Sequence, residues 1–360
     1  MTHIVLVVPT FDDLQKHLGR VPADVLMLLR EVDQAQGREE AFRRQHPAQL
    51  DALTQIARVQ STEASNAIEG ITAPSARIKA LVEERTTPRN RSEEEIAGYR
   101  TVLDLIHSTR PDAIPFTPNV VKQLHSQLYS FAPDRGYGQF KTTDNLVEEE
   151  LPDGSKRVRF TPVPAWRTEE AMRQLHENYT AATNSSSYHP LLLTGAYVLD
   201  FLVIHPFSDG NGRMSRLLTL LLLYRNNYEV GRFVSLEKFI ATTKETYYDA
   251  LAASTTAWDE GDQDIFPWLR FFLGILVGAY REFEDRVGAL GGRGSKQESV
   301  RQFVRSSISD EFTFAEVQRA CPAVSVDHIR RTLKQLRKNG VLGPPTRGRN
   351  ATYRRLRTDF

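Results

Sequence analysis

The 360-residue chain has a single cysteine, Cys321. No internal disulfide can form, and no zinc site can be assembled from thiolates. Long apolar runs are absent too. The most apolar stretches, Leu191–Ile204 (broken by Asp200) and Leu217–Leu223, fall short of the roughly 18 uninterrupted apolar residues of a membrane span and read as buried helices. The N-terminus, Met1-Thr-His-Ile-Val-Leu-Val-Val-Pro9, lacks a basic n-region and its apolar run is too short for a signal peptide. A cytoplasmic location and no membrane partner are expected. Net charge is almost missing: 46 Lys/Arg stand against 45 Asp/Glu. With 40% hydrophobic and 25% charged residues, general disorder is excluded. The length predicts two or three domains.

The near-zero net charge conceals an asymmetry. Residues 296–360 hold 14 Lys/Arg against 6 Asp/Glu, a charge of +8, which leaves −7 for 1–295. The change falls at Gly288-Ala-Leu-Gly-Gly-Arg-Gly-Ser295, whose Gly and Ser content predicts a flexible linker over 288–295. Upstream, helix-period apolar positions predict helices over Ala23–Asp33, Glu39–Ala67, Ser92–Ser108, Thr117–Ser130, Glu169–Ala182, Pro190–Ile204, Asn211–Tyr224, Thr242–Trp258 and Phe266–Val287. One segment, 145–161, differs: two β-favouring runs flank Pro152-Asp-Gly154, a strong hairpin signal. In the basic tail, Thr313-Phe-Ala-Glu316 has the capping-box form and predicts a helix to about Ala320. Ser325 caps a second helix, Val326–Asn339, with Gly340 as its C′ residue. Val341-Leu342 and Thr352–Arg354 are expected to pair as strands around 343–350. That order predicts a winged helix-turn-helix over 296–360. Its second helix shows Arg330, Arg331, Lys334, Arg337 and Lys338, and its wing Arg347 and Arg349.

The segment that carries chemistry is His205-Pro-Phe-Ser-Asp-Gly-Asn-Gly-Arg-Met-Ser-Arg216, a polar loop opening into a buried helix. Gly210 and Gly212 let backbone N–H groups approach a ligand with no Cβ in the way. The helix N-terminus adds unpaired donors and a positive dipole end, so the loop is an anion cradle suited to phosphates. Arg213 and Arg216, three residues apart, can clamp further phosphate oxygens. Asn211 can donate to a phosphate oxygen. Asp209, the loop's one carboxylate, is suited to Mg²⁺ carried by phosphates. His205 is the group able to take a proton near pH 7. Taken singly, a histidine is usually structural, Gly-Asn-Gly usually a turn, and paired arginines usually a solvated face. At average residue usage the eight informative positions coincide by chance about once in 10^9–10^10 starts, so the composite is read as a site.

The loop resembles the signature of the Fic family, H-x-F-x-[D/E]-G-N-G-R-x-x-R, at every position from His205 through Phe207, Asp209, Gly210, Asn211, Gly212 and Arg213 to Arg216. The resemblance implies a mainly α fold: a Fic-type helical domain with a β-hairpin flap, beside the small C-terminal winged helix-turn-helix. It implies an N-terminal helical region over 1–110, a catalytic domain over 111–287, the 288–295 linker and the 296–360 module. The implied activity is a protein adenylyltransferase moving AMP from ATP to a Ser, Thr or Tyr hydroxyl. In that scheme His205 is the base and Asp209 holds Mg²⁺. Gly210, Asn211 and Gly212 form the anion hole, Arg213 and Arg216 hold the β- and γ-phosphates, and Met214 and Ser215 belong to the ATP-binding stretch. Tyr247 and Tyr248, in Tyr-Tyr-x-x-Leu251, resemble the residues lining the adenine side. Ser65-Asn-Ala-Ile-Glu69-Gly70 resembles the family's inhibitory motif, with Glu69 as the restraint on Arg216. Lys141 stands where an arginine is usual. Implied partners are ATP, a target protein docked on the 145–161 flap and the enzyme itself through self-modification; a homodimer is a further expectation, and the +8 charge of 296–360, apart from the resemblance, points to DNA there, with protein docking or dimerisation as the alternative. The alternatives are removal of AMP in the same site, and a DNA-binding regulator using the winged helix. A toxin-like enzyme without restraint is disfavoured by the Glu69 motif.

Overall fold

The computed structural model describes residues 8–45, 47–132, 137–150, 156–290, 296–307, 310–321, 324–346 and 351–357. Two short helices, α1 (Pro9–Asp12) and α2 (Leu14–Leu18), precede α3 (Ala23–Gln45) and α4 (Pro47–Ile68). The expected gap between Asp33 and Glu39 is helical instead. α3 is described to Gln45 and α4 from Pro47, which lacks an N–H and suits a first helical turn; His46 lies outside the described residues. Then come α5 (Ser75–Val82), α6 (Arg91–Ser108) and α7 (Pro118–Leu128). The side chains of Asn90 and Thr117 accept the Glu93 and Val120 N–H groups and so cap α6 and α7.

The hairpin expected at 145–161 is present as β1 (Val147–Glu150) antiparallel to β2 (Lys156–Phe160). Its Asp153-Gly154 turn lies outside the described residues. Next are α8 (Ala165–Ser185), α9 (Pro190–Ile204) and α10 (Asn211–Arg225). α9, apolar on almost every face, and α10, apolar beyond its polar first turns, are buried nearly throughout and form the centre of the main hydrophobic core. Within α9 the carboxylate of Asp200 is buried; its Oδ1 accepts from Thr10 Oγ1 (2.6 Å) and Trp258 Nε1 (2.8 Å). Burial pushes this carboxyl up to about 7. The group thus ties α1 and the 258 region to the central helix.

The helix expected over Thr242–Trp258 is present in shorter form over Lys244–Thr255, and a helix that periodicity did not give precedes it. α11 (Leu236–Thr242) and α12 (Lys244–Thr255) meet at Thr243, whose φ of −120° and ψ of 34° are not helical. Last in this part is α13 (Phe266–Leu290). It runs through Gly288, Ala289 and Leu290, so the first three residues of the expected linker are helical; 291–295 lie outside the described residues. Among the described residues no helix is long and apolar enough to cross a membrane.

The C-terminal part has its own core, built from Val300, Val304, Phe312, Val317, Ile329, Leu333, Leu336 and Val341. Its elements are α14 (Lys296–Ser306), β3 (Glu311–Thr313), α15 (Phe314–Ala320), α16 (Val326–Lys338) and β4 (Thr352–Arg354). The capping box forms as read: Glu316 N–H donates to Thr313 Oγ1, and Thr313 N–H to Glu316 Oε2. Ser325 precedes α16 but makes no side-chain cap bond. Strand pairing differs from expectation. β4 pairs antiparallel with β3, while Leu342 makes only an isolated bridge to Arg355. Val341 and Leu342 are buried in the small core and leave little strand to extend. Arg347 and Arg349, expected on the wing, lie outside the described residues.

Candidate active site

The loop from His205 to Gly210 joins the two central helices, so its geometry is inherited from the core. His205 ends α9 in a left-handed conformation, φ 49°, and Gly210 opens α10 at φ 79°. At Gly210 a Cβ would also stand 2.8 Å from the Tyr129 hydroxyl, so only glycine fits. Asn211 closes the loop from inside. Its Oδ1 accepts the Phe207 N–H (2.9 Å) and its Nδ2 donates to the Phe207 carbonyl (2.7 Å). One Nδ2–H is thereby committed to the loop, and the backbone N–H of Asn211 is among the first-turn donors of α10.

Three residues hold the loop from outside: Lys141, noted in the sequence for standing where an arginine is usual, and Asn145 and His125, which carried no site signal there. Lys141 N–H donates to the Pro206 carbonyl (2.8 Å), and its ammonium donates to the Ile204 carbonyl (3.1 Å) and Asn145 Oδ1 (2.8 Å). Asn145 in turn donates to the Phe207 carbonyl (3.1 Å). His125 lies flat on Phe207, with ring centroids 3.7 Å apart. The Gly138 N–H donates to its Nδ1 (3.0 Å), which leaves Nε2–H to donate to the Asp209 carbonyl (3.0 Å). Burial holds the His125 imidazole down at about 4, so it is a neutral strut at pH 7.

Within this frame the charged groups divide. His205 Nδ1 faces the Leu202 carbonyl at 3.3 Å, which assigns the proton to Nδ1 and leaves Nε2 as an acceptor. Burial first, and then the Lys141 ammonium, lowers its pKa to about 4. Asp209 has a half-exposed carboxylate whose Oδ1 accepts the Gly210 N–H (2.6 Å). Arg213, 1% exposed, forms an ion pair through Nη2 with Glu95 Oε2 (2.8 Å) and donates from Nη2 to the Tyr129 hydroxyl (2.7 Å). Its Nε and Nη1 are buried without a protein acceptor, which is unusual for a guanidinium and fits an anion. Arg216 faces the other way. Its Nε donates to Ser65 Oγ (2.8 Å), and its Nη2 to the Ser65 carbonyl (2.9 Å) and Glu69 Oε1 (2.8 Å).

Glu69 sits just beyond the end of α4, where Gly70 turns at φ 77°. A Cβ on Gly212 would overlap Glu69 Oε1, so this carboxylate lies against the first turn of α10, in the anion cradle itself. The face of α4 that delivers it is fixed by a buried carboxylate, Glu237 on α11. That group accepts from Ser61 Oγ (2.7 Å), the Tyr99 hydroxyl (2.9 Å) and Ser235 Oγ (3.1 Å). Lys244 adds a cation at the Ile68 carbonyl (2.7 Å).

Of the two tyrosines, Tyr247 is 3% exposed and packs among Trp268, Phe271 and Tyr248. With Ser215 and Arg216 it lines a small cavity between α10 and α13. Tyr248 is half-buried, with the Arg159 guanidinium of β2 stacked 4.3 Å from its ring centroid, which brings the hairpin over α12. Met214 is wholly buried in the core, and Ser215 Oγ donates to the Gly212 carbonyl (2.8 Å).

Glu95, Tyr99, His125, Tyr129 and Glu237 carry no motif of their own; a polar residue at an apolar helical position was their only signal. Glu95 makes the clearest test. It is buried between Arg213 and Arg91, and removing its charge strands the Arg213 guanidinium. Glu95→Gln should cost about 3 kcal/mol of stability, read as a lowered urea midpoint at pH 7. An unchanged midpoint would show the pair to be dispensable.

Residues 115–223 match the model of the Fic/DOC family. The chain is similar to a protein adenylyltransferase Fic of Nematostella vectensis, 24% identical over 225 residues that make up 55% of this chain and 50% of that protein. It is also similar to the one of Drosophila melanogaster, 27% identical over 207 residues, 57% of this chain and 37% of that protein. The match thus spans half or less of these curated relatives. Among solved structures, a Fic family protein from Desulfovibrio desulfuricans G20 superposes with a TM-score of 0.60 at 20% identity, covering 93% of this chain and 97% of that one. Fic-1 from C. elegans gives 0.54 at 18%, covering 75% and 74%. These two show the shared helical fold. The complete loop signature, folded as one cradle, lies inside the stretch 115–223 that matches the Fic/DOC family model.

Proposed function

We propose that this protein transfers AMP from ATP to a hydroxyl group of a target protein, and that Glu69 restrains the reaction. The observation that carries this reading is the cradle at the start of α10. Arg213, in the first turn of that helix, keeps two buried donors without a protein acceptor, and the Glu69 carboxylate lies against the same turn, paired with Arg216. In the reaction the target oxygen attacks the α-phosphorus and its proton passes to His205 Nε2. The bond between the α-phosphorus and the bridging oxygen breaks, and pyrophosphate leaves. Backbone N–H groups of Gly210 to Gly212, together with Arg213 and a freed Arg216, orient the phosphates. Positioning and charge neutralisation supply most of the acceleration.

Among the described residues no cluster of three or more His, Cys, Asp or Glu could hold a metal ion. The lone half-exposed Asp209 carboxylate still fits Mg²⁺ that arrives on nucleotide phosphates, which needs one or two carboxylates. Asp209 would hold it, and the ion when bound would offset phosphate charge. The β1–β2 hairpin is the docking edge for an extended target segment, aligned by main-chain pairing. Self-modification follows the same chemistry. A second reading, removal of AMP with Glu69 orienting water, is favoured by one feature: Glu69 is 32% exposed beside the cradle instead of sealed behind it.

Incubation with α-labelled and γ-labelled ATP plus Mg²⁺ tests the proposal. Label retained on protein from the α-position alone is expected. Retention from the γ-position would indicate phosphoryl transfer and overturn it.

A further inference from the structure

The C-terminal part presents one helix whose two faces differ sharply. Ile329, Thr332, Leu333 and Leu336 of α16 are buried, packed with Val300, Val304 and Val317. The opposite arc exposes Arg330, Arg331, Lys334, Arg337 and Lys338. The one acidic residue of this helix, Asp327, sits in its first turn, 3.7 Å from Arg330. Among the described residues no carboxylate pairs with Lys334, Arg337 or Lys338. Five cations on one side of a thirteen-residue helix, unneutralised over its last two turns, are a costly arrangement unless an anion of repeating charge lies along them.

The rest of the part determines which way this face looks. α14 packs on α13, and α15 rests on α4. Lys79 of α5 is ion-paired with Glu316, the residue that also closes the α15 capping box. α16 packs on α14 and α15, so the attachment lies on one side and the basic arc on the other. A helix about 20 Å long and 10–12 Å wide matches the major groove, which is about 12 Å across. A single strand or a flat acidic surface would engage only some of the cations at once, whereas a groove has phosphates on both walls. Exposed Arg354 at the end of β4 extends the positive surface towards the flanking backbone.

We propose that the exposed face of α16 binds duplex DNA, with Arg330, Lys334, Arg337 and Lys338 meeting phosphates and groove edges. This surface is distinct from the cradle and needs no ATP, so its failure and that of the AMP-transfer reading are separable. The test uses the full chain without nucleotide, a fluorescein-labelled mixed-sequence duplex, and anisotropy at salt concentrations from about 50 to 200 mM. Binding should weaken linearly on a log–log plot, by about 0.9 per phosphate contacted. The double variant Lys334→Ala, Arg337→Ala should bind at least tenfold more weakly at the lowest salt, with a slope shallower by about 2. Lys334→Arg, which keeps the charge, should bind like the wild type; parallel circular dichroism shows that each variant is folded. No salt-sensitive binding at about 50 mM, equal affinity of the folded double variant, or tighter binding to single-stranded DNA or polyglutamate than to the duplex would overturn the proposal.

Discussion

Replacing Glu69 by glycine should raise transfer of α-label from ATP to protein, self-modification included, by about 100-fold, while ATP affinity changes far less. Glu69 Oε1 is 2.8 Å from Arg216 Nη2 and lies where a Cβ on Gly212 would be. Phosphate oxygens seeking the first-turn N–H groups of α10 therefore meet a carboxylate, and the outer arginine is already bound. ATP can still enter through Arg213, whose free donors do not involve Glu69, but its phosphates must sit off line. A displacement of about 1 Å can cost ~100-fold in rate. The substitution is structurally mild, because Glu69 follows the last residue of α4 and precedes a turn glycine. The check is label incorporation against time beside calorimetric ATP binding. A flat rate would reduce Ser65–Gly70 to a helix end; loss of an AMP-removing activity would make Glu69 a water-positioning residue as well.

Most of the cradle was legible in the residues because its parts lie within twelve positions and each needs a particular chemistry. The Glu69 contact with Arg216, 147 positions away, followed only from resemblance, since nothing in a sequence states which carboxylate meets which guanidinium. The supports were not legible at all. Glu95, His125, Tyr129 and Glu237 act through burial and through partners from other helices, and each reads in sequence as an ordinary helical or capping residue. Asn211 shows the reverse limit: its type suggested a phosphate donor and gave no sign of the loop-closing pair it makes with Phe207.

The same distinction holds for the fold. Helices with strong caps or uniform apolarity, such as α9 and α10, were placed within a residue or so. Those set by tertiary context were not. The chain remains helical through Gly37 because α3 packs along α13, and α11, a seven-residue helix ahead of the non-helical Thr243, has too few positions for its period to be read. In the tail, strand order depended on β3, a three-residue segment too short to announce itself.

His205→Ala should lower AMP transfer by about 1,000-fold, within the range for loss of a positioned general base, and leave ATP binding nearly unchanged. The second half of that expectation comes from protonation. Burial and the Lys141 ammonium hold the His205 pKa at about 4, below its usual value, so at pH 7 the ring is neutral and adds no charge to phosphate binding. Its Nε2 lone pair is free because Nδ1 is engaged with the Leu202 carbonyl. The sign of the pH dependence follows: the base form is complete at pH 7 and persists on acidification until about 4. The acid limb of kcat/KM should therefore fall near 4 and not near the 6.5 of a free imidazole. One structural objection can be met within the experiment. His205 lies at φ 49°, where alanine is strained but asparagine is tolerated. His205→Asn keeps the turn and offers no base of comparable strength, so it should lose as much rate as the alanine variant. If His205→Asn retained near-normal turnover while folded, another group would be taking the proton, and the assignment of His205 would fail.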